Sequence, residues 1–337
     1  MTMSVRHVPF VLAALLCGVC VAAAAIGQVP PQGESGAKEA DLQAATDALN
    51  NVKAEVEAAK KGAADAVRSA TKAFHAQTYA SQKLQDAWTE AGKEMKPQQQ
   101  PQTTVALNTA TEAAKTATEA AKTAVKAAKQ ATEEALKMAN GAVVSAAAVV
   151  ESLIKDAQRY KEESGAVQKN ATAGAAAKAL MAEAATAAQA SLDVGKKLHE
   201  LCKKAAGRTS TAFKGAQDAE SKTSAVTAVS VKDVEGKNVE EKQKKLNVTQ
   251  INILKVANAL VPVVAYGDFA LWNLTDAVIM AAEAEKLRKE AAKQAEAAKN
   301  AVDEIPAPDA DPQTTESTLA ATGTTVTSEE QLKSEAE

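Results

Sequence analysis

His199 and Cys202 are the two residues whose types and spacing come closest to a chemical site in this chain. Three residues apart on a helix, an imidazole and a thiol share one face, which is half of a tetrahedral zinc site. The sequence offers no second pair of such ligands to complete the tetrahedron. We therefore predict no metal site.

Nucleophilic catalysis has equally few candidates. Beyond the first 25 residues, histidine occurs only at His75 and His199, so a Ser-His-Asp or Cys-His site would have to use one of them. The sequence has no phosphate-cradling glycine loop, no dinucleotide fingerprint and no HExxH motif. Its carboxylates alternate with lysines in helical patterns, which is typical of solvated pairs. We predict a protein without enzymatic activity and without a cofactor.

The first 25 residues have the three parts of a secretory signal peptide. Arg6 lies in a short basic start, an apolar run follows, and the small residues Ala22–Ala25 offer a cleavage site. The run is too short for a stable membrane span, and an uncleaved anchor is the alternative. Cleavage would remove Cys17 and Cys20. Cys202 would then be the one cysteine of the mature chain and a candidate for a disulfide between two chains.

Three Asn-x-Ser/Thr triplets are candidate sites of N-glycosylation, at Asn170, Asn247 and Asn273. Such triplets are used only in a eukaryotic secretory pathway, which agrees with the signal peptide. Each triplet also arises by chance in a Thr-containing chain, so they support secretion only as a group.

Long heptad-patterned helices must position all of these residues. From Leu42 to Ala91 small apolar residues alternate in steps of three and four, and Gln77 is the one polar member of the series. This predicts a coiled-coil helix over about 37–95 that stops at "KPQQQPQT". A second helix over about 104–163 contains the repeat "TEAAKTATEAAKTA". We predict its buried seam to consist of Leu107, Ala110, Ala114, Ala117, Ala121, Ala124, Ala128, Ala131, Ala135, Met138 and Ala142.

Two further helices are predicted over about 175–206 and 239–303. The last contains the most apolar stretch of the mature chain, "INILKVANALVPVVAYGDFALWNLTDAVIMAA", in which Tyr266, Phe269 and Trp272 fall on one stripe. Aromatic stripes at helical spacing usually fill cores, so we predict a thick end of the bundle there rather than a ligand pocket. Residues 207–240, rich in Ser, Thr, Gly and Lys, are predicted to form an irregular connection with partial helix.

Charge separates the C-terminal end from the rest of the mature chain. Residues 26–302 carry 37 Lys/Arg and 33 Asp/Glu, whereas 303–337 carry nine acidic residues and one lysine. The Pro/Thr-rich composition of 304–337 predicts a disordered acidic tail. No basic cluster is dense enough to predict nucleic-acid binding. The expected fold is all-α: residues 26–303 form an elongated antiparallel bundle of three or four long coiled-coil-like helices.

The secretory start, the Leu/Ala heptad helix, the stretch "TEAAKTATEAAKTAVKAAKQATEEALK" and the acidic Thr/Pro tail resemble alanine-rich surface proteins of trypanosomes. These include the brucei alanine-rich proteins and the glutamic acid/alanine-rich protein. The resemblance implies a helical bundle displayed on a parasite surface by a GPI anchor. A GPI signal ends in a hydrophobic tail of about ten or more residues, whereas this sequence ends "TSEEQLKSEAE". We expect either a secreted protein or a sequence that lacks its end.

The expected function is therefore that of a non-enzymatic secreted or cell-surface protein, with a coat role or contact with a host or vector surface molecule. One alternative is a receptor-like bundle that binds a host macromolecule. Another is a stress protein of the late-embryogenesis type, although the seven-residue rather than eleven-residue period favours a folded bundle. Self-association is possible in each case. The expected contact surfaces are residues 207–240 and the neighbourhood of Tyr266–Trp272.

Overall fold

The computed structural model describes residues 33–93 and 100–303. This part of the chain forms four long helices and one short one: α1 Gly33–Lys93, α2 Gln100–Lys169, α3 Ala175–Thr223, α4 Val231–Val234 and α5 Val239–Asp303. It contains no strand, which confirms the predicted all-α class. The predicted signal peptide and acidic tail lie outside the described residues.

The four long helices form an antiparallel bundle with up-down-up-down topology. Helices α1 and α3 each pack against both α2 and α5, so the four helices close a ring around one elongated core. Thr46 near the start of α1 contacts Arg288 near the end of α5, which shows that these two helices run in opposite directions. At 1.5 Å per residue the bundle is a rod about 90 Å long.

The core of the rod is built mainly from alanine at heptad positions. In α1, every member of the predicted seam from Ala45 to Ala91 is buried, including Gln77, whose amide donates to the Ala121 carbonyl oxygen of α2 at 3.2 Å. In α5 an unbroken series of three- and four-residue steps is buried from Leu246 to Ala298. Because alanine fills little space, the helices approach closely, and larger side chains are spread along the rod.

Every second residue of the predicted α2 seam, starting from Leu107, is buried. At most of the residues between them, the buried residue is the next one along the chain. Leu107, Ala114 and Ala121 are buried as expected. The predicted Ala117 is also buried, together with its neighbour Thr118, whereas Thr132 takes the core position beside the half-buried Ala131. The predicted Met138 is exposed, and Ala139 is buried in its place.

Thr118 and Thr132 of α2 enter the core because the helix satisfies their hydroxyl groups. The Thr118 hydroxyl donates to the Ala114 carbonyl at 2.7 Å, and the Thr132 hydroxyl to the Ala128 carbonyl at 2.6 Å. Their methyl groups can therefore pack against the neighbouring helices at little cost.

The irregular connection predicted for 207–240 is mostly wrong. Helix α3 continues to Thr223, and Ala212, Ala216 and Ala219 are buried at steps of four and three. The non-helical part is short, and α4 begins inside it with a capping box between Ser230 and Asp233. The Asp233 pKa is lowered because its carboxylate accepts hydrogen bonds from the Ser230 backbone and hydroxyl groups.

Two segments, Gln102–Lys169 and Val239–Ala301, are long and apolar enough to cross a membrane by length and composition alone. Both belong to helices whose heptad positions pack in the shared core of the rod. A core helix of a bundle passes the same test. We therefore describe α2 and α5 as bundle helices.

Candidate functional site

Helix α5 is largely apolar on its outward face as well as in the core. Five successive heptad positions farthest from the core are exposed, and four of them are apolar, with Asn258 as the exception. The exposed fractions are 68% for Trp272, 56% for Ile279 and 52% for Val261. We call these five residues, with three large apolar neighbours, the α5 strip: Ile251, Asn258, Ala265, Trp272 and Ile279, with Leu254, Val261 and Phe269.

The equivalent positions of α1 are occupied by polar residues, which is the ordinary outcome for a solvated face. Lys61, Arg68, His75 and Gln82 occur there at the same seven-residue spacing, and all four are exposed. Scattered exposed apolar side chains are normal, but an extended row of them marks an interaction surface. The α5 strip is therefore the candidate functional site of the rod.

The aromatic residues of the stripe form a cluster on the surface, not the predicted thick end of the core. Phe269 packs edge-on against Tyr266 and Trp272, with ring centroids 6.4 and 5.9 Å apart. The Arg208 guanidinium of α3 lies 5.6 Å from the Tyr266 ring centroid and 5.5 Å from that of Phe269. Small side chains such as Ala270 fill the core positions beside the rings. Phe269 and Trp272 are therefore exposed, whereas Tyr266 is partly buried against the core. Arg208 covers part of the Tyr266 and Phe269 rings.

Charged residues mark the limits of the α5 strip. The next outward heptad positions beyond its two ends are Lys244 and Lys286. Within the strip, Lys255 and Asp276 lie on the same side of the helix, and both are exposed. The Lys255 ammonium contacts the Asn252 side-chain oxygen of its own helix at 3.4 Å. The strip is thus a mainly apolar row with a cation toward one end, an anion toward the other, and the exposed Asp268 beside its middle.

A second unusual feature is a buried polar network toward the opposite end of the rod from α4. The Arg288 Nε donates to Asp156 at 2.8 Å and its Nη1 donates to the Thr46 hydroxyl at 2.6 Å, so α5, α2 and α1 are joined inside the core. Arg159 lies 3.0 Å from the same carboxylate and stacks over the Tyr160 ring at 4.6 Å. Burial raises the Tyr160 pKa, an effect that the nearby Arg159 charge opposes. We expect this buried network to fix the register of the three helices.

The three candidate glycosylation sites differ in their local structure. Asn170 is exposed in the turn between α2 and α3, where its side-chain oxygen accepts hydrogen bonds from the Thr172 backbone at 3.0 Å and hydroxyl at 2.7 Å. Asn247 and Asn273 lie within α5, and the Thr249 of the first triplet is buried with its hydroxyl bonded to a backbone carbonyl. Asn170 is thus exposed in a turn, Asn247 is exposed on a helix and Asn273 is half-buried.

His199 and Cys202, whose spacing resembles half of a zinc site, differ in their exposure. The Cys202 thiol is fully buried in the core, whereas His199 is half-buried at its edge. No group of three or more His, Cys, Asp or Glu side chains suited to a metal ion occurs in the described part of the chain. The burial also contradicts a disulfide between two chains, because the packed core gives the Cys202 sulfur no route to a second molecule.

Burial raises the pKa of Cys202 from 9.0 to about 12, which predicts a loss of stability in alkali. The neutral thiol of the folded state is fully stabilising below pH 9.0, and this contribution is lost as the pH rises toward 12, since the unfolded thiol ionises first. Each pH unit in that window costs about 1.4 kcal/mol.

Denaturant unfolding at pH 8 and pH 10.5 checks this prediction. Cys202→Ala should lose some stability at both pH values through the cavity, but its further loss between them should be smaller than that of the unchanged protein. Lysine and tyrosine titration is common to both chains and cancels in the comparison. Equal alkaline losses in the two chains would contradict the prediction.

A groove lies at the end of the rod that carries α4. It has a volume of about 740 Å³ and is lined by Thr104, Val105 and Asn108 of α2, Lys242 of α5 and the segment 234–239. Gly236 adopts the left-handed conformation in this segment, with φ 71°. The groove is wide open and brings together no set of catalytic groups, so it ranks below the α5 strip as a functional site.

The sequence analysis and the structure overlap in part at the α5 strip. The sequence analysis named Tyr266–Trp272 and the segment that contains Arg208 as expected contact surfaces, and the structure brings these two together. It did not assign Ile251 and Ile279 to an outward row, although both are separated from Trp272 by multiples of seven residues. Comparison of the chain with protein-family models, with curated proteins and with solved structures finds no match.

Proposed function

We propose that this protein is a non-enzymatic helical rod that works outside the cell, as a secreted or surface-displayed coat or contact element. The observation that carries the proposal is the α5 strip, an exposed and mainly apolar row along one long side of the bundle. Charged pairs lie on outward faces of the other helices. Lys115–Glu112, Lys122–Glu119 and Lys203–Glu200 are examples of those pairs. A rod of this form acts by covering a surface or by binding along its side.

Secretion is supported by features that do not depend on the bundle itself. The first 25 residues have the composition of a signal peptide. The triplet at Asn170 is exposed in a turn. The resemblance to alanine-rich surface proteins of trypanosomes points the same way and suggests a host or vector surface as the environment.

A receptor-like role is the second candidate, because one specific observation favours it. Exposed tryptophan and phenylalanine beside an arginine are the residue types that dominate binding energy at protein interfaces, and Arg208, Phe269 and Trp272 have this arrangement. In the receptor-like role, the α5 strip would bind a host macromolecule instead of contacting other proteins of a surface coat. The stress-protein alternative lacks such support, since the heptad steps continue through all four long helices.

Surface labelling of intact cells that express the natural gene tests the proposal. An antibody against the chain should stain unpermeabilised cells or detect the protein in the medium. The same protein should lose mass on glycosidase treatment, and Asn170→Gln should remove more of that mass than Asn247→Gln or Asn273→Gln. Staining that requires permeabilisation, together with an unmodified mass, would contradict an extracellular role.

A further inference from the structure

We propose that the α5 strip is covered by a second copy of this chain, with the two α5 helices antiparallel and the two-fold axis passing beside Ala265. This inference concerns association of the purified chain and does not depend on the cellular location proposed above. It follows from the symmetry of the strip about its own centre, from its charges and from its length.

The residues of the strip are distributed symmetrically around Ala265. Ile251 and Ile279 lie fourteen residues before and after it, and Asn258 and Trp272 lie seven residues before and after it. An antiparallel partner therefore places each Ile251 opposite the second copy's Ile279, and each Trp272 opposite the second copy's Asn258. The central Ala265 residues lie opposite each other and let the helices approach closely, as small residues do at helix contacts.

The pairing of Trp272 with Asn258 also gives the one polar residue of the row a partner. Asparagine is much smaller than tryptophan, so it leaves room for the indole ring of the second copy. Its side-chain oxygen accepts hydrogen bonds, and the indole Nε1–H is a donor only, so the two groups are complementary. A polar residue in an apolar helix contact fixes the register of the two helices, and Asn258 would have that effect here.

The charges at the two ends of the strip favour this antiparallel pairing over a parallel one. In an antiparallel pair related by a two-fold axis, residues on one side of the strip face the same side of the second copy. Lys255, ten residues before Ala265, then lies next to Asp276 of the second copy, eleven residues after it. The pairing forms two such ion pairs, one at each end. A parallel pair would keep the lysines and the aspartates at levels about 30 Å apart and form neither ion pair.

The extent of the strip agrees with a modest but specific dimer. From Ile251 to Ile279 it is about 42 Å long at 1.5 Å per residue. Two such strips of helix width bury on the order of 1,000 Å² in total, which is near the lower limit for a specific interface. Lys244 and Lys286, equally far from Ala265, would lie opposite each other and end the contact.

Other occupants fit the surface less well. An anionic membrane surface would be repelled by Asp268, Asp276 and Glu283, which are exposed on this side of α5. The acidic segment 304–337 has few apolar residues with which to cover the strip. The apolar segment 8–26 of the chain is a competing occupant that the experiment below distinguishes.

Analytical ultracentrifugation of the full chain at about 100 µM, a concentration suited to a small interface, should show a dimer. Trp272→Lys should weaken dimerisation at least about 30-fold, because a central tryptophan is a typical hot spot. Val144→Lys is the matched control: it introduces the same charge at the equivalent outward position of α2, where Val144 is 71% exposed. It should leave the dimer unchanged, and circular dichroism should show both variants folded.

Engineered disulfides test the orientation in a chain whose Cys17 and Cys20 are changed to serine. Ala265→Cys should crosslink to its own copy on oxidation, because residues beside the axis of an antiparallel helix pair meet. Ile251→Cys and Ile279→Cys should crosslink when mixed, but neither should crosslink alone. A monomer at the stated concentration, including one whose strip is covered by the segment 8–26, overturns the proposal. So does a dimer that survives Trp272→Lys, or an Ile279→Cys chain that crosslinks with itself.

Discussion

Replacing Asp156 with alanine is expected to lower the free energy of unfolding by about 3–5 kcal/mol, the loss typical of removing one partner from a buried ion pair. The Asp156 carboxylate is 3% exposed and accepts the Arg288 Nε bond at 2.8 Å. Its removal takes this carboxylate from the buried guanidinium of Arg288, and a hydrogen bond to a neutral group such as the Thr46 hydroxyl does not replace a carboxylate in the core.

Two further chains separate the cost of breaking the pair from its net contribution. The double replacement Asp156→Leu with Arg288→Met removes both of these charges and should recover part of the lost stability, because apolar residues of similar volume replace buried pairs at little cost. The recovery is incomplete because the Arg159 guanidinium, 3.0 Å from Asp156, also loses that carboxylate. Glu220→Ala breaks the more exposed pair between α3 and α2, Glu220 with Lys129 at 2.8 Å, and should change stability little. Urea unfolding followed by circular dichroism measures all three.

The prediction is tested by comparing the losses of stability in these three variants. If Asp156→Ala costs no more than Glu220→Ala, the buried network does not hold the three helices together. If the double replacement remains as unstable as the single one, then shape and not charge explains the loss. The double chain also addresses register: a second population in its unfolding or its helix contacts would show that the network selects one alignment of α1, α2 and α5.

Sequence patterns predicted α1 most accurately because its apolar and polar residues contrast strongly. Leu49, Val52, Val56 and Leu84 define one stripe among charged neighbours, so the position of each intervening alanine is unambiguous. The same stripe correctly placed the buried Gln77 in the core. Contrast of this kind, more than helix propensity, determines whether a heptad register can be read.

In α2 and α3 that contrast is missing, and this is where the sequence analysis went wrong. The repeat of α2 has alanine on several sides of the helix, so Thr118 and the neighbouring Ala117 were equally plausible core residues. In α3 the serine, threonine and glycine content of 207–223 hid the regular burial of Ala212 and Ala216. Alanine and threonine differ too little in hydrophobicity to mark a face, and only the packing of four helices decides between them.

The α5 strip could not be assigned from sequence for the opposite reason. Helix α5 is apolar both in the core and along most of the outward face, so a single-sequence analysis cannot tell which stripe is covered by the other helices. Leu260 and Val263 turn out to be buried, whereas Val261 is exposed. The same ambiguity placed Phe269 and Trp272 in the core. A helix that is apolar on opposite faces therefore indicates a second contact surface once the first is known.

At least one glycine lies at each contact between neighbouring long helices, where the two helices approach closely. Replacing such a glycine with a large residue is expected to destabilise the bundle. A Cβ built on Gly195 would lie 2.6 Å from the Leu153 Cδ1 atom, closer than packed atoms approach. These glycines keep the helices at the short separation that an alanine core requires. In each case a side chain of the adjacent helix occupies the space beside the glycine: Met138 beside Gly62, Leu153 beside Gly195, Val263 beside Gly215 and Val67 beside Gly267.

Gly195→Leu is accordingly expected to destabilise the bundle by about 1–3 kcal/mol through overpacking, more than the gain in helix propensity can offset. Gly207→Leu is the matched control in the same helix, since no atom lies within 4 Å of its added Cβ, and it should stabilise by about 0.8 kcal/mol. Leu153→Ala combined with Gly195→Leu should restore part of the loss, because the new side chain then has a space to fill. Thermal unfolding of these three variants and the unchanged protein tests the prediction. Similar melting temperatures for Gly195→Leu and Gly207→Leu would mean that α2 and α3 are not packed at the close distance on which the alanine core depends.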